Sequence, residues 1–95
     1  MSHHVTLLTR RDCALCDHAK AVLEELGYDF DLTVEEVAID TDRGRSLATE
    51  AGVLFPPGVL LDRAPFSHGR LSARKLRRAL QANPSTGTTA GSASQ

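Results

Sequence analysis

The sequence predicts an α/β domain with a small mixed sheet and helices on both faces. Short apolar runs rich in Val, Ile and Leu alternate with segments whose apolar residues recur every three or four positions. The length of 95 residues suits one domain. Hydrophobic residues make up 41% and charged residues 24% of the chain, which is ordinary for a globular protein. The predicted order is β-α-β-α-β-(β)-α.

The first strand and the first helix are predicted to meet at the two cysteines. The run Val5–Thr9 (VTLLT) is apolar and partly β-branched, which is typical of a strand buried on both faces. The segment CALC, from Cys13 to Cys16, follows within a few residues. From there onward apolar residues recur at helical spacing as far as Gly27, a typical helix stop. The cysteines are therefore expected where a strand ends and a helix begins.

The middle of the chain predicts a second strand and a short second helix. The segment Val34–Asp40 (VEEVAID) alternates apolar and polar residues, as a strand does. The pair Thr41-Asp42 offers a turn and a helix cap. The helix is expected at about Gly44–Ala51, closed by Gly52.

Two further strands are predicted after a double proline. Pro56 and Pro57 do not fit inside a central strand but can precede one, so a strand is expected over Val59–Asp62. An edge strand is expected near Phe66–His68, after a loop that contains Pro65.

The last helix closes the predicted domain, and a polar tail follows it. Leu71, Leu76 and Leu80 mark the apolar side of this helix, and Ser72 is its predicted cap. The segment Pro84–Gln95 has no large apolar side chain to repay the entropy of ordering. The sequence thus predicts one domain over residues 1–82 and a disordered tail over residues 83–95.

Composition excludes several classes of partner. The net charge of -1 and the aromatic content of 4% give no basis for binding nucleic acid or anionic lipid. There is no 18-residue apolar run and no apolar signal segment at the amino terminus, so a cytoplasmic location without a membrane partner is expected. The pair His3-His4 is either native or a remnant of a purification tag, and no role is predicted for it.

The cysteine spacing favours redox chemistry. At the start of a helix, unpaired amide groups and the positive end of the helix dipole stabilise a thiolate, so Cys13 is the predicted nucleophile. Cys16 lies one turn further on, where it can close an intramolecular disulfide and act as the resolving thiol. Arg10 and Arg11 would favour the thiolate. The acidic neighbours Asp12 and Asp17 would oppose it.

Three other interpretations of the cysteine pair remain open. The pair could be compact buried residues without chemistry. It could belong to a metal or iron-sulfur protein, with His18, His68 or a second subunit completing the ligands. The chain could also be a non-catalytic binding module of the same fold. His18 is expected to face solvent and Tyr28 to pack against the domain.

Three segments carry a resemblance to a known family. VTLLTRRDCALCDHAKAVLEELG resembles the first strand, active-site turn and first helix of the glutaredoxin-like branch of the thioredoxin superfamily, particularly small bacterial proteins with a C-x-L-C-D motif. VEEVAIDTD and AGVLFPPGVLLD are similar to the second strand and to the segment with the cis-proline. The resemblance covers Val5 to Gln81. It implies a thioredoxin-like fold and a thiol-disulfide oxidoreductase in which Pro57 is the cis-proline that faces the cysteines.

The sequence departs from the family at three places. The residue before the cis-proline normally offers its N–H and C=O to glutathione or a substrate peptide, but Pro56 has no N–H. The proline and tyrosine between the cysteines of glutathione-using members are missing. HGRLS replaces the double glycine and aspartate after the third strand. These departures argue against glutathione as a required partner.

The resemblance also implies the partners of the reaction. The expected substrate is a disulfide-containing protein or a low-molecular-weight thiol, and the expected electron donor is a reductase or a thiol. No tightly bound organic cofactor is expected, because the dithiol holds both electrons itself. Arg11 is a candidate for attracting a substrate carboxylate, as are Arg10, Arg63 and Arg70. A monomer is expected.

Overall fold

Four strands form one mixed sheet in the computed structural model, which describes residues 3–82. The elements are β1 (His3–Thr9), α1 (Ala14–Leu26), β2 (Leu32–Ala38), α2 (Asp42–Ala51), β3 (Gly58–Leu61), β4 (Ala64–His68) and α3 (Ala73–Ala82). The sheet order is β2-β1-β3-β4, with β1 parallel to β2 and antiparallel to β3, and β3 antiparallel to β4. The predicted α/β class is confirmed. The predicted tail lies outside the described residues.

The central strand β1 supplies side chains to two hydrophobic clusters, one on each face of the sheet. Val5 and Leu7 are fully buried on the face covered by α1 and α3, and Leu8 is fully buried on the face covered by α2. Alternation along one strand therefore builds both layers of the core, as its apolar sequence predicts. The remaining buried members of the larger cluster are Ala19, Val22, Leu23, Leu26, Val59, Leu71, Leu76 and Leu80.

Two helices begin at the caps that the sequence predicts. Thr41 Oγ1 accepts a hydrogen bond from the Gly44 N–H at 3.0 Å at the start of α2. Ser72 Oγ accepts one from the Lys75 N–H at 3.2 Å at the start of α3. Each hydroxyl satisfies an amide that the helix itself leaves unpaired. The strand-loop-helix junctions are thus encoded locally.

The bounds of the first two strands differ from the prediction because of their pairing. β1 begins at His3, so the histidine pair belongs to the sheet. β2 spans Leu32–Ala38 and not Val34–Asp40. The two strands pair residue by residue from His3 and Leu32 to Thr9 and Ala38. The residue pattern of β2 alone does not predict these bounds, because pairing with β1 determines where β2 begins and ends.

The β3–β4 hairpin also differs from the prediction. Asp62 belongs to the turn, because Asp62 and Arg63 adopt positive φ angles of 50° and 71°. Such angles at both central residues are those of a type I′ hairpin turn. Pro65 lies inside β4 and not in a loop. It is tolerated there because β4 is an edge strand, where a missing N–H need not break the ladder.

The strand directions define two ends of the sheet. Leu8 lies opposite Gly58, and Gly58 lies opposite His68, so β1 and β4 end where β3 begins. We call this the cysteine end, because the turn after Thr9 leads to the cysteines. We call the other end, with His3 and the β3–β4 turn, the hairpin end. No helix in the described part of the chain is long and apolar enough to cross a membrane.

Candidate functional site

The two cysteines lie at the start of α1 with their sulfur atoms at disulfide distance. Their Cα atoms are 5.2 Å apart. Cys13 is the N-cap residue, with an extended backbone, and Cys16 lies in the first turn. Asp12, directly before the cap, has a φ of 52°, a left-handed conformation that aspartate adopts more readily than most residues. The turn thus redirects the chain from β1 into α1 with Cys13 at the junction.

The backbone around Cys13 is arranged to stabilise negative charge on sulfur. The Cys16 N–H donates to Cys13 Sγ, with a nitrogen-to-sulfur distance of 3.1 Å. The Cys13 carbonyl accepts the Asp17 N–H at 3.1 Å and so begins the helix. In the reduced protein the same amide and the helix dipole would favour the thiolate form of Cys13. Sulfur here takes the capping role that serine or aspartate usually fills.

The two cysteines differ in exposure. Cys13 is 8% exposed, whereas Cys16 is 1% exposed. Cys13 is therefore the more accessible of the two sulfur-bearing residues, and Cys16 lies deeper in the fold.

The loop before β3 lies at the same end of the sheet as the cysteines. The Pro56–Pro57 peptide bond is cis, as the family resemblance implies. Pro57 is fully buried, and its carbonyl accepts the Gly69 N–H at 2.8 Å. Pro56 is half-buried and has no N–H to offer a ligand. Three connecting segments thus lie at the cysteine end: residues 10–13, called the cysteine turn, residues 52–57, called the proline loop, and residues 69–72 after β4.

Large apolar side chains are exposed near this end. Leu54 is 82% exposed, Phe55 51% and Leu15 39%. The sequence alone predicts no function for these side chains. The sequence does hold one signal for this exposed surface. Leu54 and Phe55 are large apolar residues directly before a double proline, in a loop where polar residues are the rule.

The four candidate arginines are not gathered at one place. Arg10 and Arg11 lie in the cysteine turn with exposed side chains. Arg70 lies after β4, where it lines a cleft of about 340 Å³ with His18. Arg63 lies in the hairpin turn at the opposite end of the sheet. Arg63 is therefore not part of the cysteine site.

The expectation for Tyr28 was wrong, and the expectation for His18 holds only in part. His18 lies on α1, is half-buried and lines the cleft beside the segment before α3. Tyr28 is 86% exposed and does not pack against the domain. Tyr28 follows the last turn of α1, where the chain turns back toward β2 and the ring has no layer to cover it.

The hairpin end is held by hydrogen bonds to one carboxylate. His3 is buried, and its Nδ1 donates to Asp62 Oδ2 at 2.8 Å. The His4 N–H donates to Asp62 Oδ1, also at 2.8 Å. Partial burial alone would raise the pKa of Asp62, but the bonds from His4 and His3 outweigh it and leave that pKa lowered. The histidine pair therefore has a structural role that the sequence analysis did not predict.

A second polar cluster lies on the α2 face, toward the hairpin end. Arg43 forms a two-point ion pair with Glu35, and its hydrogen bond lowers the pKa of that carboxyl. Both residues line a cleft of about 500 Å³ together with His4, Thr6 and Arg63. Neither cysteine lines this cleft. Between residues 3 and 82, no three His, Cys, Asp or Glu side chains are grouped so as to hold a metal ion.

Comparison with known families and structures gives a consistent result. A family profile described as Glutaredoxin-like domain (DUF836) matches residues 4–81. A search of curated proteins found no match.

Three solved structures share the fold. A mutant thioredoxin from Halobacterium salinarum NRC-1 is 20% identical, with a TM-score of 0.65 over 85% of this chain and 74% of that one. An uncharacterised thioredoxin-like protein from Clostridium perfringens is 11% identical, with a TM-score of 0.70 over 85% and 70%. A malarial protein is 16% identical, with a TM-score of 0.66 over 88% and 99%. The predicted thioredoxin-like fold is confirmed.

Proposed function

Because the chain belongs to the glutaredoxin-like family, we propose that it is a thiol-disulfide oxidoreductase that works through Cys13 and Cys16. One observation carries the proposal. The two sulfur atoms lie at disulfide distance at the start of α1, and the residue that caps the helix is the more exposed of the two. This arrangement suits a nucleophile followed by a resolving thiol.

The first step is attack by the Cys13 thiolate on one sulfur of a substrate disulfide. The new bond joins Cys13 Sγ to that sulfur, the substrate S–S bond breaks, and the other substrate sulfur leaves as a thiolate that takes a proton from solvent. The Cys16 N–H and the start of α1 favour this attack, because a hydrogen bond to Cys13 Sγ and the positive end of the helix dipole both stabilise a thiolate.

The second step releases the remaining half of the substrate. The Cys16 thiol gives its proton to solvent and attacks Cys13 Sγ, expelling the second substrate thiolate and forming the Cys13–Cys16 disulfide. Two electrons have passed from the dithiol to the substrate. A low-molecular-weight thiol or a reductase returns them, so the reaction needs no tightly bound organic cofactor.

The proposed substrate is a disulfide-containing protein, with a low-molecular-weight thiol as the alternative. Glutathione is the weaker candidate, because Pro56 lacks the N–H that the family offers to it. Arg11 is exposed in the cysteine turn and is proposed to attract a carboxylate of the substrate. The protein is proposed to act as a monomer in the reducing cytoplasm, where dithiol donors are available.

Disulfide reduction by purified protein tests the proposal. With dithiothreitol as donor, the protein is expected to accelerate reduction of insulin disulfides, and Cys13→Ser is expected to return the rate to that of dithiothreitol alone. Circular dichroism of the variant controls for folding. A Cys13→Ser protein that reduces insulin as fast as the unmodified protein would contradict the proposed role.

A further inference from the structure

Phe55 is exposed yet held in a fixed position. Its ring is 51% exposed. It meets the ring of His68 edge-on, with centroids 5.2 Å apart and an interplanar angle of 89°. Its other neighbour is Gly69, since a Cβ atom on that residue would lie 3.0 Å from Phe55 Cε2. An aromatic ring held on two sides and open on a third is a ready contact surface for an apolar group.

Gly69 supports both the ring and the proline loop. Its φ of 79° and its missing side chain leave room for Phe55, while its N–H donates to the Pro57 carbonyl at 2.8 Å. His68 ends β4 opposite Gly58, which directly follows Pro57. The ring therefore packs against the end of β4, at the end of the sheet that bears the cysteines.

The proline loop is poor in groups that could bind a peptide backbone, which increases the weight of side-chain contacts. Pro56 and Pro57 both lack an N–H, so neither can donate to an extended substrate. Leu54 and Phe55, directly before them, offer exposed apolar surface instead. Apolar burial on these two side chains can therefore supply affinity that a hydrogen bond from the N–H of residue 56 cannot.

From these contacts we propose that Phe55 determines substrate specificity, by selecting protein disulfides that carry a large apolar side chain next to the half-cystine. The inference rests on the proposed oxidoreductase function. An apolar side chain beside the attacked sulfur packs on the Phe55 ring while Cys13 forms the mixed disulfide. Glutathione has no large apolar side chain, so it makes no such contact.

Single-turnover reduction of two matched peptide disulfides tests the assignment. The substrates are symmetric disulfides of acetyl-Ser-Gly-Cys-Leu-Gly-amide and of the same peptide with Ser in place of Leu. Pre-reduced protein supplies both electrons, and chromatography measures the peptide thiols formed. The protein is expected to reduce the Leu peptide about five- to tenfold faster, the effect of burying part of one apolar side chain.

Substitutions show which side chain causes the preference for the Leu peptide. Phe55→Ala is expected to remove it and Phe55→Leu to retain most of it, while His68→Ala weakens it because the ring loses its edge contact. The matched control is Tyr28→Ala, which removes an even more exposed ring after α1, and it should keep the full preference. The ratio of the two rates is measured within each variant, so a partial loss of folded protein cancels.

Two sets of results would overturn the assignment, and they are distinguishable. If the protein reduces both peptides equally, if Phe55→Ala keeps the preference, or if glutathione disulfide is reduced faster than the Leu peptide, the specificity role is wrong and the oxidoreductase function stands. If the reduced protein attacks none of these disulfides, the proposed function itself is wrong.

Discussion

At the hairpin end of the sheet, the His3 ring and the His4 N–H donate hydrogen bonds to the Asp62 carboxylate. Nearby, on the α2 face, Arg43 forms an ion pair with Glu35. At the cysteine end, the proline loop exposes large apolar side chains, and two sulfur atoms lie at the start of a helix. The first region uses polar side chains to fix strand ends in place. The second leaves apolar surface uncovered at the end of the sheet that bears the two cysteines.

The stability of the fold and its proposed function therefore depend on opposite ends of one small sheet. Polar contacts at the hairpin end give hydrogen-bond partners to groups that the strand ends and the β3–β4 turn leave unpaired. These contacts therefore stabilise the folded state. Exposed apolar side chains at the cysteine end contribute little to folding because they stay in water. Changes at one end should therefore alter unfolding, and changes at the other should alter turnover.

The largest effect is expected from Cys16→Ser, which breaks the cycle at the cysteine end without unfolding the protein. Cys13 still attacks a peptide disulfide, but the protein has no second thiol to resolve the product, so one substrate half stays attached in the absence of an added thiol. Mass spectrometry of a single turnover without dithiothreitol should detect that adduct, whereas the unmodified protein should release both halves of the substrate. A Cys16→Ser protein that never accumulates the adduct would contradict the assignment of roles.

Gly44→Ala is an exception to this separation, because Gly44 packs against the cysteine end of β2 and yet its substitution should reduce stability. Gly44 lies in the first turn of α2, and a Cβ there would lie 2.0 Å from the Ala38 carbonyl oxygen at the end of β2. The helix must shift, so we expect a loss of about 3 kcal/mol in unfolding free energy, measured by urea denaturation. Gly52→Ala is the control, since nothing lies within 4 Å of its added methyl. Its positive φ makes the cost about 1 kcal/mol. A larger loss at Gly52 would contradict this packing argument.

Asp62→Asn should weaken the hairpin end and leave reduction of disulfides unchanged. At pH 7 we expect a loss of about 1 kcal/mol in unfolding free energy, a modest figure because the carboxylate is half-exposed and screened by water. Because folding lowers the pKa of Asp62, its contribution is complete above the usual value of 3.8 and is lost as the pH falls through the lower folded pKa.

Urea midpoints at several pH values measure this effect. The difference between the unmodified protein and Asp62→Asn should be full at pH 7 and shrink as the pH falls below 4. Asp40→Asn, at an exposed position between β2 and α2, is the control and should show no such trend. A difference that grows on acidification would mean that Asp62 does not act as a charged acceptor.

The smallest effect is expected from Arg43→Gln on the α2 face. The pair with Glu35 is exposed, so the urea midpoint should stay unchanged. The pKa of Glu35 should rise toward the usual 4.5, because its main cause of lowering, the hydrogen bond from Arg43, is lost. Carboxyl carbon NMR titration of Glu35 detects the change. An unaltered Glu35 pKa would show that the pair does not form in solution.

The sequence predicts the elements of this fold well where the information is local. Thr41 and Ser72 were identified as caps because each interacts with amides only three residues away. The central strand was recognised as buried on both faces because its own residues are apolar. The cysteine turn was placed correctly for the same reason, since Cys13 and Cys16 follow directly after β1.

What the sequence does not predict depends on contacts between distant residues. The bounds of β2 follow from pairing with β1, and the role of His3 depends on Asp62, which is 59 residues away. The fixed ring of Phe55 depends on His68 and Gly69 from another strand end. None of these pairs has a periodic or motif signal. They become visible only when the strands are assembled.

The activation of Cys13 is tested most directly by the rate at which each cysteine of the reduced protein reacts with iodoacetamide as a function of pH. We expect Cys13 to be alkylated first, with an apparent pKa below the free value of about 8.5, and Cys16 to react slowly at every pH. Peptide mapping identifies the modified residue. Alkylation of Cys16 before Cys13, or a Cys13 pKa at or above the free value, would contradict the claim that the start of α1 activates Cys13.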